Sequence, residues 1–215
     1  MDSIVAKRRK GRGLGALCLL FFTALLVTGC TPAQKASRPS ADSAYFQALE
    51  RSSRGFKAYE GFESRLYVNA TYKSEDFRRA YIAKYSADYA LGPERAQALL
   101  ERELEQLEAY NEFFFTAYTP DEALNDFHKK DSVWQVYLED GQGNKVRPVS
   151  ISRIGNSEAV MRDYFPYYDL WSRAYVARFP KYTENGQEIP GPAGVMKLSF
   201  TGAIAKGELT WQSPK

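Results

Sequence analysis

Val133-Trp134-Gln135-Val136-Tyr137-Leu138-Glu139, then Asp140-Gly141-Gln142-Gly143-Asn144, then residues 145–154 form the stretch that decides the fold. Trp134, Val136 and Leu138 alternate with Gln135, Tyr137 and Glu139, the two-residue period of a strand with one buried face. The glycines and Asn144 supply turn chemistry, so the chain returns antiparallel. Pro148 has no amide hydrogen to give a ladder, which places an edge or a bulge in the returning strand.

Working outward, the same period recurs. Residues 65–73 set Leu66, Val68, Ala70 and Tyr72 against Arg65, Tyr67, Asn69, Thr71 and Lys73. Residues 113–119, 171–179, 195–201 and 208–212 also read as strands, the last two joined through Gly202 and Gly207. Between the first strand and the rest, the period changes to that of helices. Ser74 caps one helix, and Glu75 and Asp76 oppose its positive end. Phe77, Tyr81, Ile82, Tyr85 and Tyr89 form its stripe. Gly92-Pro93 breaks the run and opens a second helix. That helix sets Ala96, Leu100, Leu107, Tyr110 and Phe114 against Glu101, Arg102, Glu105, Glu108 and Glu112. Upstream, Asp42 or Ser43 caps a short helix with Tyr45, Phe46, Leu49 and Phe56 on its apolar side. Residues 157–164 form another short helix.

Seven strands without regular βα alternation predict a mainly β chain, an antiparallel sandwich with an inserted αα-hairpin at about 74–112. In strand number this is similar to an immunoglobulin-like sandwich, although the Cys…Trp…Cys marker of that family is missing. The alternative is an α+β domain with helices packed on one curved sheet.

The N-terminal segment carries an address. Lys7, Arg8, Arg9, Lys10 and Arg12 precede an apolar run over 14–27, which ends in Leu26-Val27-Thr28-Gly29-Cys30. The run is shorter than the roughly 20 residues of a spanning helix. The pentapeptide resembles the lipobox of bacterial lipoproteins. The resemblance implies cleavage before Cys30, acyl chains on Cys30 and a permanent hold on a membrane. Thr31, where Gram-negative lipoproteins retained at the inner membrane commonly carry aspartate, points to the outer membrane facing the periplasm. On this reading 1–29 is the export signal, 30–44 the lipidated cysteine and a disordered tether, and 45–215 a single globular domain. The tether TPAQKASRPSADSA would reach about 20 Å as a random coil.

The address also changes the charge balance. Of 29 basic and 26 acidic residues, the first 29 positions hold five and one, which leaves 24 and 25. A balanced chain lacks the concentrated basic face that nucleic-acid binding needs. The two cysteines are Cys18, inside the apolar run, and Cys30, so the folded part has no disulfide to lean on.

Motifs for chemistry are few. His128 is the one histidine. It lies beside Lys129 and Lys130 in a polar connection, as a solvated loop residue does, and no catalytic residue is assigned. A single His or Cys ligand in the folded part rules against a Cys/His zinc site. Neither a metal nor a cofactor is expected. Glu101, Glu105, Glu108 and Glu112 share one helical face and read as a water-facing stripe. Residues 140–144 lack the acidic alternation of a calcium loop. The most distinctive stretch is Tyr164-Phe165-Pro166-Tyr167-Tyr168-Asp169-Leu170-Trp171. Tyr164, Tyr167, Tyr168 and Trp171 are the candidate contacts for a partner or a glycan, unless the loop folds back onto the core. The expected function is a non-enzymatic interaction or assembly module, anchored in the membrane and meeting an envelope protein. A carbohydrate- or peptidoglycan-binding module is the alternative, and a carboxylate hydrolase ranks last.

Overall fold

A computed structural model describes residues 40–155 and 158–212. Cys30, the expected export signal 1–29 and most of the expected tether lie outside the described residues. The elements in chain order are α1 (Ser40–Ser52), β1 (Ser53–Glu60), β2 (Glu63–Tyr72), α2 (Glu75–Asp88), α3 (Pro93–Ala109), β3 (Tyr110–Tyr118), β4 (Trp134–Asp140) and β5 (Lys145–Val146). They continue with β6 (Ser150–Arg153), α4 (Glu158–Tyr164), β7 (Arg173–Pro180), β8 (Val195–Gly202) and β9 (Lys206–Gln212). The strands form two antiparallel sheets, ordered β1-β2-β3-β7-β6 and β5-β4-β8-β9. They do not form one curved sheet.

Both sheets feed one core. Leu66, Val68, Phe113, Phe115, Tyr175 and Phe179 from the first meet Val136, Leu138, Leu198, Phe200, Leu209 and Trp211 from the second. Because side chains alternate along a strand, Phe114, Ala174 and Val176 point the other way. There they join Tyr45, Leu49, Phe77, Tyr164, Phe165 and Tyr168 in a second cluster under α1, α2 and α4. Strand β3 is therefore buried on both faces, and its unbroken run Phe113-Phe114-Phe115 suits that place.

Nine strands stand among the described residues where seven were expected, for two reasons. First, α1 stops at Ser52 and residues 53–60 are an edge strand, so Phe56 leaves the helical stripe and packs on the first core. Second, residues 145–154 are not one strand. Pro148 interrupts them, leaving β5 on the four-stranded sheet and β6 on the five-stranded one. The two helices do follow β2, and Ser74 Oγ caps α2 by accepting from the Phe77 amide at 3.3 Å. Helix α1 begins at Ser40, so residues 40–44 are helical rather than tether, and Asp42 sits in its first turn. Among the described residues no helix is long and apolar enough to cross a membrane.

Candidate functional site

The aromatic stretch divides. Tyr164 and Tyr168 are each 3 % exposed, whereas Leu170 and Trp171 are 75 % and 78 % exposed. Tyr164 donates to Asp88 Oδ2 at 2.7 Å, and its carbonyl accepts from Tyr45 at 2.6 Å. Tyr167 lies 2.6 Å from Thr71 Oγ1. Burial, then the Asp88 carboxylate, pushes the Tyr164 phenol upward, and burial does the same to Tyr167. Three of the four candidate contacts thus pack inward, and Trp171 alone of the four is presented to solvent. Asp169 fixes that presentation by accepting from the Trp171 and Ser172 amides at 3.0 and 2.8 Å.

The same sheet builds a second aromatic feature. Leu66 and Val68 face the core, so Tyr67 faces outward; Ala117 and Tyr118 divide likewise. Tyr67 and Tyr118 are direct cross-strand partners, with ring centroids 5.4 Å apart. On the other side the register of β1 against β2 shifts between Ala58 and Tyr59. A bulge re-aims the side chain that follows it, and the Tyr59 ring lies 5.5 Å from that of Tyr67. The result is a row of three rings, one from each of β1, β2 and β3.

Polar groups frame this row. Lys57 Nζ stands 5.1 Å over the Tyr67 ring. Tyr67 is hydrogen-bonded to Ser64, and the Ser64 hydroxyl followed by that of Tyr59 holds its phenol below the usual range. Arg65 pairs with Glu60 at 2.7 Å and Glu63 at 3.0 Å. At the turn beyond, Gly61 adopts φ +61°, a conformation other residues rarely take, and Phe62 is fully exposed. Ala117 pairs with Arg173, so Leu170 and Trp171 enter β7 at this same end of the sheet. The two-residue period sets Tyr67 on the face opposite Leu66 and Val68, but no single-strand pattern shows which residues of β1 and β3 lie beside it.

Two further features lie apart from the row. A charge cluster joins Lys73, Arg78, Glu103, Glu112 and Arg178, with Arg78 wholly buried and Glu112 nearly so. Glu112 leaves the expected water-facing stripe, because the helix ends at Ala109 and residue 112 is already in β3. Glu101, Glu105 and Glu108 stay on the exposed side of α3. A cleft of about 770 Å³ opens where α1, the start of α2 and the end of β9 meet, with Tyr72 and Trp211 facing Arg51, Arg54 and Lys181. Burial pushes the Tyr72 phenol up to about 12. His128 is exposed. Among the described residues, no three His, Cys, Asp or Glu side chains come together to hold a metal ion.

No protein-family model matches the chain, and no curated protein matches it. One similar solved structure is that of a protein of unknown function from Burkholderia pseudomallei K96243. The identity is 14 %, over 79 % of this chain and 83 % of that one, with a TM-score of 0.41. A likeness of this size assigns neither family nor function.

Proposed function

We propose that the protein is a lipid-anchored component of the cell envelope, held through Cys30 in the outer membrane facing the periplasm. It works as a non-enzymatic interaction or assembly module that meets an envelope protein. The observation that carries the contact role is the exposed end of the five-stranded sheet, where Phe62, Leu170 and Trp171 stand in solvent. Large apolar side chains left in solvent at one end of a sheet cost solvation, and exposed apolar surface recurs at sites of association. The finer architecture belongs to the same proposal. The two sheets stack as an immunoglobulin-like sandwich with α2 and α3 as an inserted hairpin, a reading supported by their shared core and by the crossing at Pro148.

Two experiments test this. Fractionation of cells, with mass spectrometry of the N-terminal peptide, is expected to find acylated Cys30 in the membrane and a soluble Cys30→Ala protein. An unmodified Cys30 overturns the anchor. A photo-crosslinking amino acid in place of Trp171, used in intact cells, is expected to capture one dominant envelope protein, whereas the same probe at exposed Tyr182 captures none. Equal capture from both positions overturns the contact surface. The tyrosine row favours the carbohydrate side of a second reading, in which the module binds carbohydrate or peptidoglycan.

A further inference from the structure

We infer that the row Tyr59–Tyr67–Tyr118 is a binding site for a single extended chain of uncharged pyranose sugars. The inference rests on the reading of the protein as an interaction module, and not on its anchor. The rings come from three neighbouring strands at centroid spacings of 5.5 and 5.4 Å, a step comparable with the advance of one sugar along a β-linked glycan. The apolar C–H face of a pyranose stacks on such rings. Successive rings are turned by 59° and 35°. Rings inclined to one another in this way cannot all lie flat on a crystalline polysaccharide, whereas a single chain can adjust from ring to ring.

The surroundings fit an uncharged ligand. Lys57 and Arg65 are matched by Glu60 and Glu63 beside the row, and Arg65 is already held by both carboxylates. The region has no net charge with which to draw a nucleic acid or an anionic bilayer. Its polar groups still suit hydroxyl-rich partners. The sugar takes the place of the Lys57 ammonium over Tyr67, and the ammonium turns to the sugar's hydroxyls. Asn69, two residues along the same face, has room because its partner is Gly55, where a Cβ would lie 2.4 Å from Asn69 Oδ1.

The test uses the full chain purified in detergent. Chitohexaose and cellohexaose are titrated against intrinsic fluorescence, and heparin, a polyanionic glycan, is added in a separate arm. Saturable binding of at least one neutral glycan is expected, with Tyr67→Ala and Tyr118→Ala each weakening it about tenfold. Tyr67→Phe, which keeps the ring, is expected to change affinity less than threefold. Tyr182→Ala, an exposed tyrosine elsewhere, is expected to change nothing. Binding of chitohexaose over cellohexaose names a neutral N-acetylated glycan as the source, and the reverse names a neutral polysaccharide without acetamido groups. Absence of neutral-glycan binding, preference for heparin, or equal loss in Tyr182→Ala overturns the site. Each variant's thermal unfolding is followed beside the titration, so that loss of fold is not read as loss of contact. A crosslinked envelope protein in cells without any glycan binding in vitro would sink this inference and leave the module reading standing.

Discussion

Lys73 Nζ lies 2.5 Å from Glu112 Oε1, and the Lys73 amide donates to the Glu112 carbonyl at 2.9 Å. Lys73 follows β2 and Glu112 sits early in β3, so the pair closes the base of the helical insertion. Arg78 of α2, Glu103 of α3 and Arg178 of β7 complete the cluster, one charge from each element that meets there. Arg78 Nε also donates to the Lys73 carbonyl at 2.8 Å.

Removing one member of a buried ion pair leaves the others desolvated without their partner, a loss of about 3–5 kcal/mol. Glu112 is bonded by both Lys73 and Arg178, the latter at 2.6 Å. Glu112→Ala is therefore expected to lower stability by about that amount, read as a fall in urea midpoint. Glu105→Ala, on the exposed side of α3, is expected to stay within about 0.5 kcal/mol of the parent.

The same cluster sets a response to acid. Burial pushes the Glu112 carboxyl up, but Lys73, Arg178 and Arg78 more than offset this and hold it below the ordinary range. A carboxyl lowered in the folded state contributes stability that is complete above its unfolded value, about 4.3, and is lost as pH falls through the lower folded value. Urea unfolding followed from pH 7 downward is expected to show the parent losing stability below about pH 4.3. Glu112→Gln, less stable at pH 7, should show a shallower acid slope. Parallel slopes in the two proteins would contradict the assignment.

The two sheets also meet at a glycine. A Cβ built on Gly207 of β9 would lie 2.2 Å from the Phe56 ring of β1, against which it packs. Trp211 Nε1 donates to the Ser52 carbonyl at 2.7 Å nearby, so β1 has little freedom to retreat. Gly207→Ala is expected to cost about 1–3 kcal/mol through overpacking. The companion Gly207→Ala/Phe56→Leu, which removes the obstructing ring edge, is expected to recover part of the loss in the same urea titration.

Strong periodicity made much of this fold legible. Trp134, Val136 and Leu138 lie in the core as their alternation requires, and Pro148 marked the place where one strand becomes two. Residues 53–60 carry a weaker pattern. Gly55 weakens a strand signal, and Phe56 continues the spacing of Tyr45 and Leu49 closely enough to pass for a helical stripe. Glu112 fits the helical phase because it follows Glu108 by four residues, but the helix ends between them. The charge cluster and the tyrosine row depend on register between elements far apart in the chain. No window of one sequence contains that register.

The aromatic loop should separate under truncation into residues that hold the fold and residues that do not. Phe165 stacks on Phe114 with centroids 3.8 Å apart and planes within 19°, and both are buried in the second core. Phe165→Ala removes that stack and leaves a cavity under α1 and α2, so it is expected to cost about 3–5 kcal/mol. Tyr164→Phe keeps the ring and loses the bond to Asp88, so about 1 kcal/mol is expected. Trp171→Ala, in solvent, should stay within about 0.5 kcal/mol of the parent. Chemical denaturation of the three variants checks the ranking. If Trp171→Ala proved as costly as Phe165→Ala, Trp171 would belong to the core, and the exposed end of the sheet would lose its claim as a contact surface.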